Sequence, residues 1–334
     1  MKTLKTDVII PAYRPGEEFE KLLERLSAQK YPINKILVMN TEKKFWKEIW
    51  EQKYPLVEVR HLTKEEFDHG GTRRQAAELS DAEILVFMTQ DAMPADRELI
   101  GALVGALAEN PQAGAAYARQ LPKKDCRFLE KYTRSFNYPE QSCLKTEKDV
   151  QTHGIKTYFC SNVCAAYDHR IYDEIGGFPE HAIFNEDMIF AGELIQKGYG
   201  VAYAAEAKVV HSHNYSAIQQ FHRNFDLAVS QADHPEVFAG IRSEGEGIRL
   251  VKKNRRLALQ TGKTMDGDPA GMAERLEISG LSSGKEISEA SKVGDPSLYD
   301  ESEILGISGK FTVLTQFSDM INRYTKREKE CEDI

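Results

Sequence analysis

The 334-residue chain is short of cysteine, of positive charge and of long apolar runs. Its five cysteines, Cys126, Cys143, Cys160, Cys164 and Cys331, are odd in number. The C-x-x-x-C at 160–164 has no second pair to complete a zinc site. A disulfide framework and a zinc ribbon are therefore excluded as readings, and the thiols fit a reducing cytosol. No apolar run approaches the about 20 residues that span a bilayer. The opening "MKTLKTDVIIPAYRPG" lacks a long apolar core, so no signal peptide is expected. Lys and Arg number 44 against 52 Asp and Glu, a formal net charge of −8. That balance argues against nucleic acid as a partner. A hydrophobic content of 41% remains, enough for the core of one large domain or two modest ones.

The first third of the chain alternates short apolar runs with helical patterns. Strands are expected at 7–11, 35–40, 56–62, 82–88 and 113–119, and helices at 16–29, 44–53, 71–80 and 97–110. This predicts an α/β fold, a mainly parallel sheet flanked by helices. Ligands of such sheets bind at the carboxyl ends of strands. Tyr13, Arg14, Asn40, His69 and Asp91 all fall there. Residues 120–157 read as loop with some helix, a long helix begins near Ala217, and 247–259 reads as a basic amphipathic helix. From 262 to 334 the chain is rich in Gly, Ser and acids, a polar C-terminal extension that is mobile or loosely packed.

Several stretches can carry chemistry, each with an ordinary alternative. "VIIPAYRPG" ends a strand and can hold a base and a phosphate, or be a plain turn. In "FDHGGTRRQA", Gly70 and Gly71 allow close backbone approach. A helix start there would offer N–H groups to an anion, with Thr72, Arg73 and His69 adding a hydroxyl, a cation and a donor; the alternative is a simple turn. "TQDAMP" supplies Asp91, a hard oxygen ligand for Mg²⁺ or Mn²⁺, or a capped turn. "FNEDMIFAGELIQKG" reads as a helix with Asn185 at its N-cap and Gly198 as its stop. The macrodipole alone explains Glu186 and Asp187; a general base is the functional reading of Asp187. "VVHSHNYS" places His211 and His213 on one side of an extended segment, suited to a metal or simply structural.

In this order, these stretches resemble the family 2 glycosyltransferases of GT-A fold over about residues 5–260, and most of all the bacterial rhamnosyltransferases of cell-surface polysaccharides. "SNVCAAYDHRIYDEIGGFPE" and "QQFHRNFD" belong to the same resemblance. It implies a domain at 1–261, with Pro11, Tyr13 and Arg14 lining the nucleotide pocket and Asn40 near the base or ribose. His69, Gly70, Thr72 and Arg73 would lie by the donor's diphosphate or sugar. Gln90-Asp91-Ala92 stands where the family carries D-x-D, with Asp91 on the metal, Gln90 on the donor, and His211, then His213, as partners of Asp91. Asp187, after Glu186, matches the catalytic base. Asn162, Gly177 and Phe178, with Gly176, would shape the acceptor side. The implied reaction is inverting transfer of L-rhamnose from dTDP-rhamnose to a lipid-linked glycan, with Mg²⁺ or Mn²⁺, in the cytoplasm at the inner face of the plasma membrane. The tail departs from the family's apolar, basic C-terminal segment, which leaves peripheral membrane contact open. A sugar-1-phosphate nucleotidyltransferase would share the sheet, yet "PAYRPGEE" is a poor phosphate loop. A non-catalytic sugar-nucleotide binding module is the other alternative.

Overall fold

The computed structural model describes residues 3–182, 184–215 and 217–241. The expected basic helix at 247–259, the extension and the boundary at 261/262 lie outside the described residues. Strand β1 (Thr6–Tyr13) sends Val8, Ile10 and Ala12 to one face of the sheet and Ile9 to the other, the period of two that a strand imposes. Helix α1 (Glu17–Ser27) repeats Phe19, Leu22, Leu23 and Leu26 at helical spacing and buries them on the first face. β2 (Lys35–Thr41), α2 (Ile49–Lys53) and β3 (Val57–Leu62) follow, then α3 (His69–Glu78) on the opposite face and β4 (Ile84–Met88). β4 pairs with β1 in parallel, as β1 does with β2 and β2 with β3.

The order then changes. A two-residue strand β5 (Met93–Pro94) precedes α4 (Leu99–Glu109) and β6 (Ala113–Leu121). Helix α5 (Phe128–Asn137), β7 (Cys143–Lys145) and α6 (Val150–His153) fill the region expected to be irregular. β8 (Cys164–Asp168), α7 (His169–Ile175), α8 (Glu186–Gln196) and β9 (Gly200–Val210) complete the sheet, in the order β3-β2-β1-β4-β8-β6-β9-β5, with β7 on β9. β8 runs antiparallel between β4 and β6, so four described pairings are parallel and four antiparallel. The sheet is mixed, parallel in its first half. β8 starts beside the carboxyl end of β4, with Met88 opposite Cys164 and the Thr89 N–H donating to the Val163 carbonyl, and therefore runs back along it. α8 stops at Gly198, whose φ of +88° ends the helix as expected.

Helix α10 (Pro235–Phe238) packs Val237 and Phe238 into the second core. Contacts divide the described chain at Asn214/Tyr215: the sheet, its helices and α10 form one compact unit. Helix α9 (Ala217–Asp233) belongs to a second unit and is described by itself; within it the Arg223 guanidinium lies 4.9 Å from the Tyr215 ring. No helix among the described residues is long and apolar enough to cross a membrane.

Candidate active site

Three strand ends converge because β1, β2 and β4 are parallel and finish on the same edge. Tyr13, the last residue of β1, is exposed, and Arg14 just beyond it takes a left-handed φ of 49°. The Tyr13 ring meets Phe45 edge-on at 5.8 Å. The Arg14 guanidinium lies 5.1 Å from Tyr13 and 5.0 Å from Phe45, Lys64 is 5.6 Å from Tyr13, and Lys44 is 5.2 Å from Phe45. Two aromatic faces among three cations suit a base and its phosphates. Phe45, Lys44 and Lys64 carried no motif in the sequence. Asn40 behaves differently. It is fully buried, donates to the Glu42 carbonyl and to Nδ1 of His61, and so supports the β2 end from beneath. Pro11 is half-buried within β1, one turn of the strand below Tyr13.

Gln90 follows β4. Its side chain accepts from the Tyr13 N–H and donates to the Tyr13 carbonyl, both at 3.0 Å. It therefore ties the aromatic–cation cluster to the turn that carries Asp91. That turn is fastened by β5, which pairs antiparallel with the end of β9: Met93 lies opposite Val210 and Pro94 opposite Val209. The pairing brings Asp91 to the two histidines that follow β9. Asp91 Oδ2 lies 3.4 Å from His211 Nε2 and 3.1 Å from His213 Nε2, and the two Nε2 atoms are 3.0 Å apart. Burial pushes the Asp91 carboxyl up, but the two imidazoles outweigh it and hold the group well below the usual carboxylate range. Burial lowers His211, which favours its neutral form. Two imidazole nitrogens and a carboxylate oxygen thus face one another across a few ångströms. A divalent cation satisfies all three at once, and the residues fit one.

Helix α8 follows Asn185, which takes the expected N-cap position in the left-handed region at φ 72° but makes no side-chain cap bond. Its first two residues divide their work. Glu186 is buried, pairs with Arg73 at 3.2 Å and accepts from the Asn162 side-chain amide at 2.9 Å. Asp187 is half-buried. Its two oxygens accept 2.8 Å hydrogen bonds from the N–H groups of Asn162 and Met188. Burial first, and then the neighbouring Glu186 charge, push its carboxyl up to about 7 against the pull of those amides and of Arg73. A carboxylate raised to that value and oriented by two fixed donors has the properties of a general base.

The expectations for α3 and for the acceptor side need correction. The N–H groups of Gly70 and Gly71 are not open to an anion: the Asp68 carboxylate caps both, at 2.9 and 2.7 Å, and places its own negative charge there. Thr72 is buried and its hydroxyl accepts from the Asp68 N–H at 3.1 Å. Arg73 is buried against Glu186 and the His69 carbonyl. A side chain on Gly70 would stand 2.2 Å from the Pro179 carbonyl oxygen, so these glycines admit the 178–182 loop. His69 is half-buried, its ring 5.2 Å from Phe67. The Phe178 ring is fully buried among Phe87, Tyr167, Tyr172 and Phe190 and lines no ligand surface. Gly177, at φ +74°, turns the chain over Tyr172. Asn162 is buried; its backbone N–H donates to Asp187, its Nδ2 donates to Glu186 and its Oδ1 accepts from the Tyr167 hydroxyl, so it positions the acids. Sequence reasoning missed Asp68, although an aspartate just before a helix is an N-cap signal, and it placed Asn162 on the acceptor side instead of beside the acids.

Residues 7–176 match the family described as Glycosyl transferase family 2. The chain is 38% identical over 267 residues to the O-antigen chain rhamnosyltransferase RfbN of Salmonella typhimurium, covering 77% of this chain and 82% of that one. The chain is a family 2 glycosyltransferase. A second relative of this glycosyltransferase is the O-antigen chain rhamnosyltransferase WbaN of Salmonella anatum, 40% identical over 203 residues, 60% of this chain and 64% of the relative. Among solved structures, S. aureus TarS 1–349 is similar at 13% identity and a TM-score of 0.54, over 87% of this chain and 76% of that one. The mannosyltransferase PcManGT of Pyrobaculum calidifontis, solved with GDP-Man and Mn²⁺, is similar at 14% identity and a TM-score of 0.53, over 96% and 88%. At such identities the likeness shows the fold, which is GT-A.

Proposed function

We propose that this glycosyltransferase moves L-rhamnose from dTDP-rhamnose, with inversion, to a hydroxyl of a growing cell-surface polysaccharide. The O-antigen rhamnosyltransferases to which it is similar support the sugar and the acceptor class. The placement of Asp187 carries the mechanism: one carboxylate, pushed up to about 7 and fixed by two amides. Asp187 takes the proton of the acceptor hydroxyl as its oxygen bonds to the anomeric carbon. The bond from that carbon to the diphosphate breaks in the same displacement, and the electron pair leaves with the diphosphate. Nothing covalent forms on the protein, so the anomeric configuration inverts.

Asp91, His211 and His213 would hold the divalent metal, which would neutralise the departing diphosphate. Their two imidazoles favour Mn²⁺ over Mg²⁺, an oxygen-preferring ion. Tyr13 and Phe45 stack the base, and Arg14, Lys44 and Lys64 meet the phosphates. Gln90 keeps that pocket in register with Asp91. The acceptor is a lipid-linked glycan, met at the cytoplasmic face of the plasma membrane.

The test is binding of a panel of dTDP-, UDP- and GDP-sugars with and without Mn²⁺, to wild type and Asp91→Ala. Metal-dependent preference for dTDP-rhamnose that is lost in Asp91→Ala is the expected result. Preference for a UDP- or GDP-sugar overturns the donor.

A further inference from the structure

Two residues outside the reading above decide which nitrogen of His211 faces Asp91. Gln120, at the end of β6, is buried and its Oε1 lies 3.0 Å from His211 Nδ1. The same Oε1 accepts from a guanidinium N–H of Arg134, on α5. Arg134 is itself held by Glu130, Nε to Oε1 at 2.6 Å. On its other side the Gln120 Nε2 lies 3.0 Å from the Ser161 hydroxyl.

The donor and acceptor inventory of these groups leaves one arrangement. A serine hydroxyl can donate or accept, so Ser161 is compatible with either orientation of the Gln120 amide. A guanidinium can only donate, so Arg134 fixes the oxygen of Gln120 toward itself and toward His211. An oxygen at that place requires a proton on His211 Nδ1. A neutral His211 then carries its lone pair on Nε2, the atom 3.4 Å from Asp91 Oδ2. With the amide reversed, its NH₂ would face Nδ1 and favour the other tautomer, which puts a hydrogen where a ligand atom is needed.

We propose that Gln120 and Arg134 are positioning residues for the metal. Arg134 orients the Gln120 amide, and Gln120 holds His211 as the Nδ1–H tautomer with Nε2 free to coordinate. The inference rests on the metal reading of Asp91, His211 and His213. Partners of this kind set ring orientation and ligand basicity, and losing one typically weakens metal binding about 10- to 100-fold. Because Ser161 can turn to donate, glutamate at 120 keeps the acceptor on His211; leucine does not.

The experiment is titration with Mn²⁺, alone and with dTDP, followed by the electron paramagnetic resonance of free Mn²⁺. It compares wild type, Asp91→Ala, Gln120→Leu, Gln120→Glu and Arg134→Met, each checked by thermal unfolding. In parallel, ¹⁵N NMR of the wild type loaded with diamagnetic Zn²⁺ reads which ring nitrogen of His211 bears the proton. Expected are a loss of Mn²⁺ affinity of about 10- to 100-fold in Gln120→Leu, a smaller loss in Arg134→Met, wild-type or tighter binding in Gln120→Glu, and a proton on Nδ1. A folded Gln120→Leu that binds Mn²⁺ like wild type overturns the proposal, as does a proton on Nε2 in the wild type. If Gln120→Leu does not fold, equal weakening in Gln120→Glu overturns it. A wild type that binds no Mn²⁺, or binds it no better than Asp91→Ala, shows instead that the metal reading itself has failed.

Discussion

Replacing Asp187 by asparagine removes the proposed base while changing little else in shape. The carboxylate accepts one N–H on each oxygen, from Asn162 and from Met188. Asparagine offers one oxygen and one NH₂, so one of these donors loses its acceptor, at a cost of about 1–3 kcal/mol. Removing the like charge beside Glu186 opposes that cost, so the balance shifts toward the variant as pH rises. The effect on catalysis is large. A positioned base is worth about 10²- to 10⁴-fold in rate, or about 3–5 kcal/mol of barrier. In the wild type, log(kcat/KM) should climb as pH rises toward the raised value of Asp187, about 7, and then level. Stability runs the other way. The folded state keeps a proton on Asp187 that the unfolded chain releases near the ordinary carboxylate value, so wild-type stability falls as pH rises from about 4 to about 7. The Asn variant lacks both limbs. Release of dTDP from dTDP-rhamnose with acceptor present, donor binding and thermal unfolding are measured across this range. A variant that binds donor and keeps more than about a tenth of wild-type kcat, against the expected contribution of a base, refutes the assignment.

Gly70→Ala should destabilise the fold by about 1–3 kcal/mol, because the added carbon would stand 2.2 Å from a backbone oxygen of Pro179 and the loop has to move; urea unfolding checks it. Gln90→Leu breaks both bonds to Tyr13, each worth about 0.5–1.5 kcal/mol, at a position that water reaches. The donor KM should therefore rise more than stability falls, and initial rates over a range of donor concentration separate the two. Asp68→Ala loses the cap of α3 and costs about 0.5–2 kcal/mol, whereas Asp68→Asn keeps an acceptor and restores most of it; the paired melting curves test this.

The sequence by itself determined the alternation of strand and helix through β4, the helix stop at Gly198 and the position of Tyr13 and Asp91 where strands end. These are local matters: a side-chain period of two or 3.6, a glycine at positive φ, a polar residue where an apolar run ends. The placement of His211 and His213 on one side of an extended segment was legible for the same reason. Their meeting with Asp91 was not, since it depends on β5, a two-residue strand with no period of its own, pairing with β9 over a hundred residues later. Tertiary structure also decided that Asp68 closes the amides of Gly70 and Gly71, and that Phe178 belongs to the aromatic core. It divided Glu186, the partner of Arg73, from Asp187, which accepts from two backbone amides, and made Asn162 the group that holds both. Adjacent acids in a helix's first turn look alike in sequence. They part only when the fold gives one a buried cation and the other two backbone amides, because burial and hydrogen bonding, not residue type, set what a carboxylate can do.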